Sequence, residues 1–137
     1  MRLTQWTDYA LRVLMYCASQ PDRESAVTVS EIAEHHQISR HHLNKIVQDL
    51  SAHGWLDTTR GRGGGIRLTG PASGIRVGDV VRATEADFTM VECFDPAHAL
   101  CRLNGRCRLK GVLHQAMEAY FAKLDGVTVA DLVKPMR

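Results

Sequence analysis

The sequence predicts a mainly α-helical protein, with a winged helix-turn-helix in residues 1–70 and a cysteine-bearing loop followed by a long C-terminal helix in residues 71–137. Two short helical segments joined by a tight turn are the helix-turn-helix layout. Two strand-like segments around a glycine-rich tip come directly after them and are typical of a wing. Beyond the wing, three cysteines within fifteen residues precede a long amphipathic segment.

The composition is that of a small folded protein. A chain of 137 residues supports one compact domain, or a small domain with an extension. Hydrophobic residues make up 45% of it, which argues against disorder. Because the net charge is only +2, any contact with a polyanion depends on where the basic residues lie rather than on their sum.

The role of the cysteines depends on the cellular compartment in which the protein is expected. No apolar stretch approaches the roughly 20 residues that span a bilayer, so no membrane partner is expected. The opening segment lacks the apolar stretch and cleavage site of a signal peptide. We therefore expect a cytoplasmic location, where thiols stay reduced. Four cysteines in that compartment indicate metal binding or thiol reactivity before structural disulfides.

Residues 4–19 are predicted to form the first helix, because their apolar side chains recur at helical spacing. Thr4 or Thr7 is suited to cap its start, and Pro21 lies just beyond its end. Cys17 lies on the apolar stripe, so we interpret it as a small core residue rather than as a metal ligand.

The helix-turn-helix comes next. Val29 is interpreted as a short strand, and Ser30 as the N-cap of the first short helix. A break at residues 37–38 is followed by a second cap, Ser39, and by the helix Arg40–Ala52. The apolar residues that the two helices are expected to share are Ile32, Ile38, Leu43, Ile46, Val47 and Leu50.

The outer face of the helix Arg40–Ala52 carries hydrogen-bond donors suited to the major groove of DNA. Arginine and lysine reach phosphates or guanine edges, and asparagine and glutamine pair with adenine. A solvated polar face is the ordinary alternative, but a capped helix between a tight turn and a basic hairpin favours DNA binding. The residues predicted to contact DNA from this helix are Arg40, His41, Asn44, Lys45 and Gln48.

The wing is predicted from strands at residues 55–60 and 66–69 around the run Gly61–Gly65. This run lacks the Gly-Lys-Ser/Thr ending of a nucleotide-binding loop and no helix follows it, so a phosphate cradle is a weak interpretation. Arginine favours narrow minor grooves, which favours a wing that lies along the minor groove or backbone. The wing residues predicted to contact DNA are Arg60, Arg62, Gly63 and Gly64, with Arg67 beside them.

A break at residues 70–74 marks the predicted domain boundary. A helix is expected over Val77–Glu85, then the cysteine loop over residues 87–106, then a long amphipathic helix, and a last short turn over residues 128–133. The stripe of the long helix is too apolar for a lone surface helix, so it is predicted to be a dimerisation helix that packs against a second subunit. That stripe consists of Leu109, Val112, Leu113, Ala116, Met117, Tyr120, Phe121 and Leu124.

Cys93, Cys101 and Cys107 are separated by seven and five residues, which is too loose for the paired cysteines of a zinc knuckle. The spacing suits a loop around an iron–sulfur cluster held by thiolates, and the basic residues of the loop favour thiolates and offset the negative charge of such a cluster. Three unrelated buried thiols, or a redox disulfide switch without metal, are the alternatives. A fourth ligand stays open, and His98, His114 and several carboxylates qualify by chemistry.

The pattern as a whole does not predict an enzyme, since no acid–base pair or nucleophile constellation accompanies it. A DNA-binding protein with a cluster is suited to sensing a small reactive molecule and changing its affinity for an operator. A redox or iron sensor of the same fold, which uses disulfides or a different signal, is one alternative. An oxidoreductase-like electron carrier is the other, and the helix-turn-helix argues against it.

Three segments resemble the nitric-oxide-sensitive repressors called NsrR. They are the opening Leu3–Arg12, the wing Arg60–Leu68 and the stretch Pro71–Val81. These repressors lie within the wider family of iron–sulfur winged-helix regulators that includes the cluster-biogenesis regulator IscR. The resemblance extends over nearly the whole chain, and the wing together with the three cysteines is its specific part.

The resemblance implies a homodimeric bacterial repressor of palindromic operator DNA, with one iron–sulfur cluster per subunit and nitric oxide as its effector. A 4Fe-4S cluster is favoured over 2Fe-2S, although the seven-residue gap departs from the five-residue gap of some members. The IscR branch places a histidine where this chain has Lys110, which argues against that branch. The ordinary interpretation of Asp8 is an ion pair with Arg12. The ligands that the resemblance implies are Cys93, Cys101, Cys107 and, from the partner subunit, Asp8.

Overall fold

The computed structural model describes residues 2–98 and 100–135, which form a mainly helical winged helix-turn-helix, as the sequence predicts. Within this part of the chain, no helix combines the length and apolar composition that crossing a bilayer requires. Short 3-10 turns lie at Ala72–Gly74 and Glu92–Phe94. The helices and strands are α1 Gln5–Ala18, α2 Val29–His36, α3 Arg40–Ala52, β1 Leu56–Thr59, β2 Gly65–Leu68, α4 Val77–Thr84, α5 Arg108–Asp125 and α6 Val129–Leu132.

Helix α1 begins after Thr4. Of the two residues predicted as possible caps, Thr4 and Thr7, Thr4 is therefore the N-cap. Its hydroxyl accepts a hydrogen bond from the Thr7 N–H at 3.4 Å. The helix ends at Ala18, so the predicted limits are correct to one residue at each end. The fully buried residues on its inner face are Thr7, Ala10, Val13 and Leu14.

The predicted start of α2 is wrong by two residues. Thr28 is the N-cap rather than Ser30: its hydroxyl accepts from the Glu31 N–H at 3.1 Å, and the Glu31 carboxylate accepts from the Thr28 N–H at 2.7 Å. Val29 is the first helical residue and not a strand, because this capping box closes the first turn around it. At the other end, Gln37 ends the helix in the left-handed conformation with φ at 54°.

Strands β1 and β2 form an antiparallel hairpin in which Leu56 pairs with Leu68. β1 is shorter than predicted and β2 is shifted by one residue toward the tip, because the hairpin pairs four residues on each side. Val27, before α2, forms an added bridge to this hairpin. Its N–H donates to the Ile66 carbonyl at 3.1 Å, and its carbonyl accepts from the Ile66 N–H at 2.7 Å.

One apolar core lies around the inner face of α1. Leu14, Ile32 and Leu43 are fully buried in it, and burying such a side chain contributes about 1.5–3 kcal/mol. The domain boundary expected between residues 70 and 71 stays a prediction. The core residues that come from beyond that division are Ile75, Val80 and Val129.

Helix α5 lies outside this core. None of its 18 residues is buried, and Leu109 and Val112 are 62% and 59% exposed. Arg82 of α4 holds its last turn by donating to both carboxylate oxygens of Asp125, at 2.6 and 2.9 Å, and its guanidinium lies 4.3 Å from the centre of the Phe121 ring. In the described part of the chain, the outer stripe of α5 is therefore left uncovered.

Gly65 is a position at which the hairpin accepts no side chain. Its φ is 153°, and a Cβ there would overlap the Val27 carbonyl oxygen. We expect Gly65→Ala to lower the free energy of unfolding by roughly 1–3 kcal/mol, because the backbone is strained and the bridge is displaced. Denaturant unfolding measures this. Gly70→Ala is the matched control, since a Cβ at Gly70 meets no atom within 4 Å; equal stability of the two variants would contradict the prediction.

Candidate functional site

Helix α3 presents on its exposed side all five residues that the sequence predicts to contact DNA. Ser39 caps the helix by accepting a hydrogen bond from the His42 N–H at 3.3 Å. Leu43, Ile46 and Leu50 are fully buried on the opposite side and seat the helix on the core. The exposed residues are Arg40, His41, Asn44, Lys45 and Gln48.

His42 lies apart from this exposed set. Its ring centre is 5.7 Å from that of Trp6 and 5.3 Å from that of Tyr9, both in α1. The neighbouring His41 is exposed, whereas the half-buried ring of His42 packs between α3 and α1.

At the wing tip, Arg60 and Arg62 are exposed, and neither forms an ion pair with another residue of the described ranges. Their guanidinium groups are therefore available to an anion. Gly63 has a φ of 75°, a conformation that suits glycine. Gly64 has a structural role as well as its predicted one, because a Cβ there would overlap the Thr59 carbonyl oxygen.

Arg67 differs from the other two wing arginines. Its guanidinium donates a hydrogen bond to the backbone carbonyl of Glu24, in the segment before α2. The sequence places Arg67 beside the arginines that are predicted to contact DNA. The structure gives it a partner within the fold instead, 43 residues away in the chain.

The cysteine loop connects α4 to α5. Cys93 lies in a 3-10 turn, Cys101 is exposed, and Cys107 immediately precedes α5. All four cysteines of the chain are free thiols. Among residues 2–98 and 100–135, no three histidine, cysteine or acidic side chains are grouped closely enough to hold a metal ion. The structure therefore does not bring the three predicted thiolate ligands together.

The donor set of this loop nevertheless fits an iron–sulfur cluster chemically. Thiolates are the usual ligands of such clusters. Cys107 is the N-cap of α5 and has no side-chain cap bond, so its sulfur is not engaged in capping the helix and is available to a bound group. Arg102, Arg106 and Arg108 are exposed nearby and carry charge opposite to that of a thiolate-ligated group. Gathering the three thiols around one group requires the loop to change its path.

Both histidines considered for the fourth ligand have other contacts. His98 lies 2.6 Å from the carboxylate of Asp95, and this hydrogen bond holds the pKa of Asp95 below its usual value. The ring of His114 stacks on Phe94, with 4.1 Å between ring centres. Neither contact points to a metal role for these histidines.

Asp8 forms the ion pair that is its ordinary interpretation. Its carboxylate lies 2.9 Å from the Arg12 guanidinium, one turn along α1. The Asp8 side chain is still 47% exposed. It is therefore accessible to a group outside its own subunit, and its role as a ligand stays a prediction.

Cys17 is a core residue, as the sequence predicts. Its side chain is buried on the inner face of α1. Burial raises the pKa of its thiol to about 11, so the thiol stays protonated near neutral pH. This protonated state separates Cys17 from the three loop cysteines as a candidate ligand.

Sequence reasoning missed a polar contact between α1 and α3. The indole N–H of Trp6 donates to the Asp49 carboxylate at 2.9 Å. The other oxygen of Asp49 lies 3.3 Å from His53, whose ring stacks on Trp55. No local pattern indicates this contact, because the sequence predicts Trp6 as part of the apolar face of its helix and Asp49 as an acidic surface residue.

Comparison with known proteins agrees with this architecture. The model of the Rrf2 family, described as iron-dependent transcriptional regulators, matches residues 3–135. The HTH-type transcriptional regulator NsrR of Bacillus subtilis (strain 168) is 48% identical over 134 residues, which cover 98% of this chain and 91% of that protein.

Two solved structures share the fold. The global cysteine regulator CymR of B. subtilis has a TM-score of 0.81 at 24% identity and covers 100% of this chain and 99% of its own. IscR of T. potens has a TM-score of 0.77 at 22% identity and covers 98% of this chain and 87% of its own. At these identities the likeness shows the winged-helix fold alone.

The exposed face of α3 and the wing should differ in what they contribute to DNA binding. We expect Asn44→Ala and Gln48→Ala each to cost about 1–3 kcal/mol on a preferred duplex and to relax its sequence preference, because base contacts are lost. Arg60→Ala and Arg62→Ala should weaken all duplexes alike and flatten the salt dependence, because phosphate contacts are lost. Titrations of preferred and random duplexes at several salt concentrations measure both effects. Equal losses on the two duplexes for the α3 variants would exclude base recognition by that helix.

Proposed function

Because this chain belongs to the Rrf2 family of transcriptional regulators, we propose that it represses transcription by binding palindromic operator DNA as a homodimer, in a state that depends on an iron–sulfur cluster and ends when nitric oxide reacts with it. Like its named relatives, the chain is a DNA-binding transcriptional regulator and not an enzyme. One observation carries the finer proposal: three free thiols occupy a basic loop that joins the core to an uncovered helix.

Cys93, Cys101 and Cys107 are the residues that would hold the cluster. When bound, the cluster supplies iron, the atom with which nitric oxide reacts. The protein supplies three thiolates and the positive charge that stabilises them, from exposed arginines. The cluster type 4Fe-4S rather than 2Fe-2S is carried by the resemblance alone.

Asp8 of the partner subunit is the proposed fourth ligand. Its carboxylate is exposed and lies near the start of α1. Because an oxygen ligand binds iron less firmly than a thiolate, Asp8 would hold the cluster less firmly than the three cysteines would. When Asp8 is not engaged by the partner's loop, Arg12 on its own helix holds it in the 2.9 Å ion pair. The two partners of Asp8 would thus define two states of α1.

The homodimer is proposed from the uncovered stripe of α5. Leu109 and Val112 are more than half exposed, which is unusual for neighbouring apolar residues on one helix. A second copy of the same stripe would cover them. A two-fold dimer would then present two α3 helices to half-sites about 34 Å apart, one turn of DNA.

A redox or iron sensor of the same fold is the second candidate function. The observation that favours it is that the three loop thiols are free and not grouped for metal. Oxidation of two of them to a disulfide, or a change in cluster occupancy, would then be the signal in place of nitric oxide.

An anaerobic purification separates these candidates. We expect the isolated protein to contain iron and sulfide and to bind a palindromic duplex that is released on addition of nitric oxide. Cys93→Ser, Cys101→Ser and Cys107→Ser should each lose most of the iron, whereas Cys17→Ala should keep it because Cys17 lies in the core. Metal analysis, the absorption spectrum and duplex titration measure these outcomes. Full iron content in all three serine variants would exclude the cluster, and release by thiol oxidants alone would favour the second candidate.

Asp8→Ala and Arg12→Ala distinguish the two roles of Asp8. If Asp8 ligates iron, Asp8→Ala should retain most of the iron on three thiolates, change the cluster spectrum and weaken duplex binding, while Arg12→Ala should leave the spectrum unchanged. If Asp8 serves only the ion pair, both variants should cost a few tenths of a kcal/mol of stability and behave alike. The absorption or vibrational spectrum decides. An unaltered spectrum with normal duplex affinity in Asp8→Ala would remove Asp8 from the site.

A further inference from the structure

The first turn of α1 is anchored to the end of α4 within one subunit. The hydroxyls of Thr7 and Thr84 lie 2.8 Å apart, and Thr7 is fully buried. The N–H and hydroxyl of Thr4 donate to the Glu85 carboxylate at 2.6 and 3.0 Å. Four residues in or next to α1 and α4 thus hold this turn in place on the side where the cysteine loop departs.

The opposite side of the same turn contacts α3 through one hydrogen bond. The indole N–H of Trp6 donates to the Asp49 carboxylate at 2.9 Å, in a partly buried position. A bond to a charged acceptor is stronger than one between neutral groups. The indole N–H lies at one edge of the ring, and a buried N–H of this kind needs a hydrogen-bond partner. The bond to Asp49 therefore also selects the orientation of the Trp6 ring.

Asp49 connects this turn to two further parts of the DNA-binding region. It directly follows Gln48, one of the predicted base contacts. Its second oxygen lies 3.3 Å from the His53 ring at the end of α3. That ring stacks on Trp55 at 5.3 Å between centres and 15° between planes, just before β1 begins. One carboxylate therefore contacts α1 and the residue that ends α3, and the His53 ring in turn contacts the base of the wing.

The apolar contacts of α3 set its depth on the core but leave small rotations about its axis weakly resisted, since leucine and isoleucine contacts are not directional. A hydrogen bond is directional. The bond from Trp6 attaches α3 to a turn that is itself anchored, so it limits rotation of the face that carries Asn44 and Gln48.

We infer that Trp6 and Asp49 are positioning residues for DNA recognition: their hydrogen bond sets the rotation of α3 and its placement relative to the wing. Neither residue is proposed to touch DNA. The inference rests on the proposed function only in that α3 reads the operator, and it is independent of the identity of the cluster and of the effector.

The test uses the full-length protein and a palindromic duplex that the unaltered protein selects from a random-core library. Trp6→Phe keeps an aromatic ring and removes the N–H, and Asp49→Ala removes the acceptor. Each should weaken binding to the selected duplex about tenfold, the change that roughly 1.4 kcal/mol produces, and leave binding to random duplex within about twofold. The double variant should be no weaker than Asp49→Ala alone, because both changes remove the same bond.

Two controls separate positioning from stability alone. Asp49→Asn keeps a carbonyl oxygen that accepts from the indole, so it should restore most of the affinity for the selected duplex. Trp55→Phe keeps an aromatic ring that can stack on His53 and removes an indole N–H that forms no hydrogen bond within the described residues, so it should bind as the unaltered protein does.

Three results would overturn the inference. If Trp6→Phe bound the selected duplex as tightly as Trp55→Phe does, the Trp6–Asp49 bond would have no role in recognition, and the proposed function would stand. Parallel losses on selected and random duplexes, together with a lower unfolding temperature, would show a merely structural role. Failure of the unaltered protein to select any sequence would overturn the proposed function, and the inference with it.

Discussion

The inner face of α1 is the surface on which the other elements of this protein assemble. Ala10, Val13 and Leu14 are completely buried, and α1 contacts helices from both segments of the chain as well as β2. Since a buried apolar face must be covered on all sides, its contacts place α3 on one flank and α4 and α6 on another. Any force that acts on α1 therefore acts on the helix that is predicted to read DNA.

This constraint explains why the molecule has two unlike halves. The core takes up the apolar face of α3, which leaves its polar face exposed beside the arginines of the wing. It offers no comparable cover to α5, which is held at its last turn by Arg82 and Asp125. The cysteine loop connects these two regions. Glu85, just before this loop, accepts hydrogen bonds from Thr4, so the loop lies between the start of α1 and α5, the two places where the proposed regulator would respond.

Polar contacts at the first turn of α1 connect this helix to both α4 and α3. The fully buried Thr7 contacts Thr84, and Trp6 contacts Asp49. Asp8, in the same turn, is exposed and paired with Arg12. A single helical turn therefore faces the cysteine-loop side, helix α3 and the exterior. Helix dimensions allow this, because successive side chains point about 100° apart around the axis.

The amino-acid sequence by itself determined the local elements: the winged helix-turn-helix, the limits of α3, the exposed donors from Arg40 to Gln48 and the core position of Cys17. Periodicity and capping are local signals. They misplaced the start of α2, where Thr28 and Glu31 form a box that competes with Ser30 as the cap, and they misplaced the limits of the two strands by one residue. Only the tertiary structure decided the contacts of Trp6 with Asp49, Arg67 with Glu24 and Arg82 with Asp125. Each joins residues 43 positions apart, and such pairs depend on how helices and strands pack rather than on any spacing along the chain.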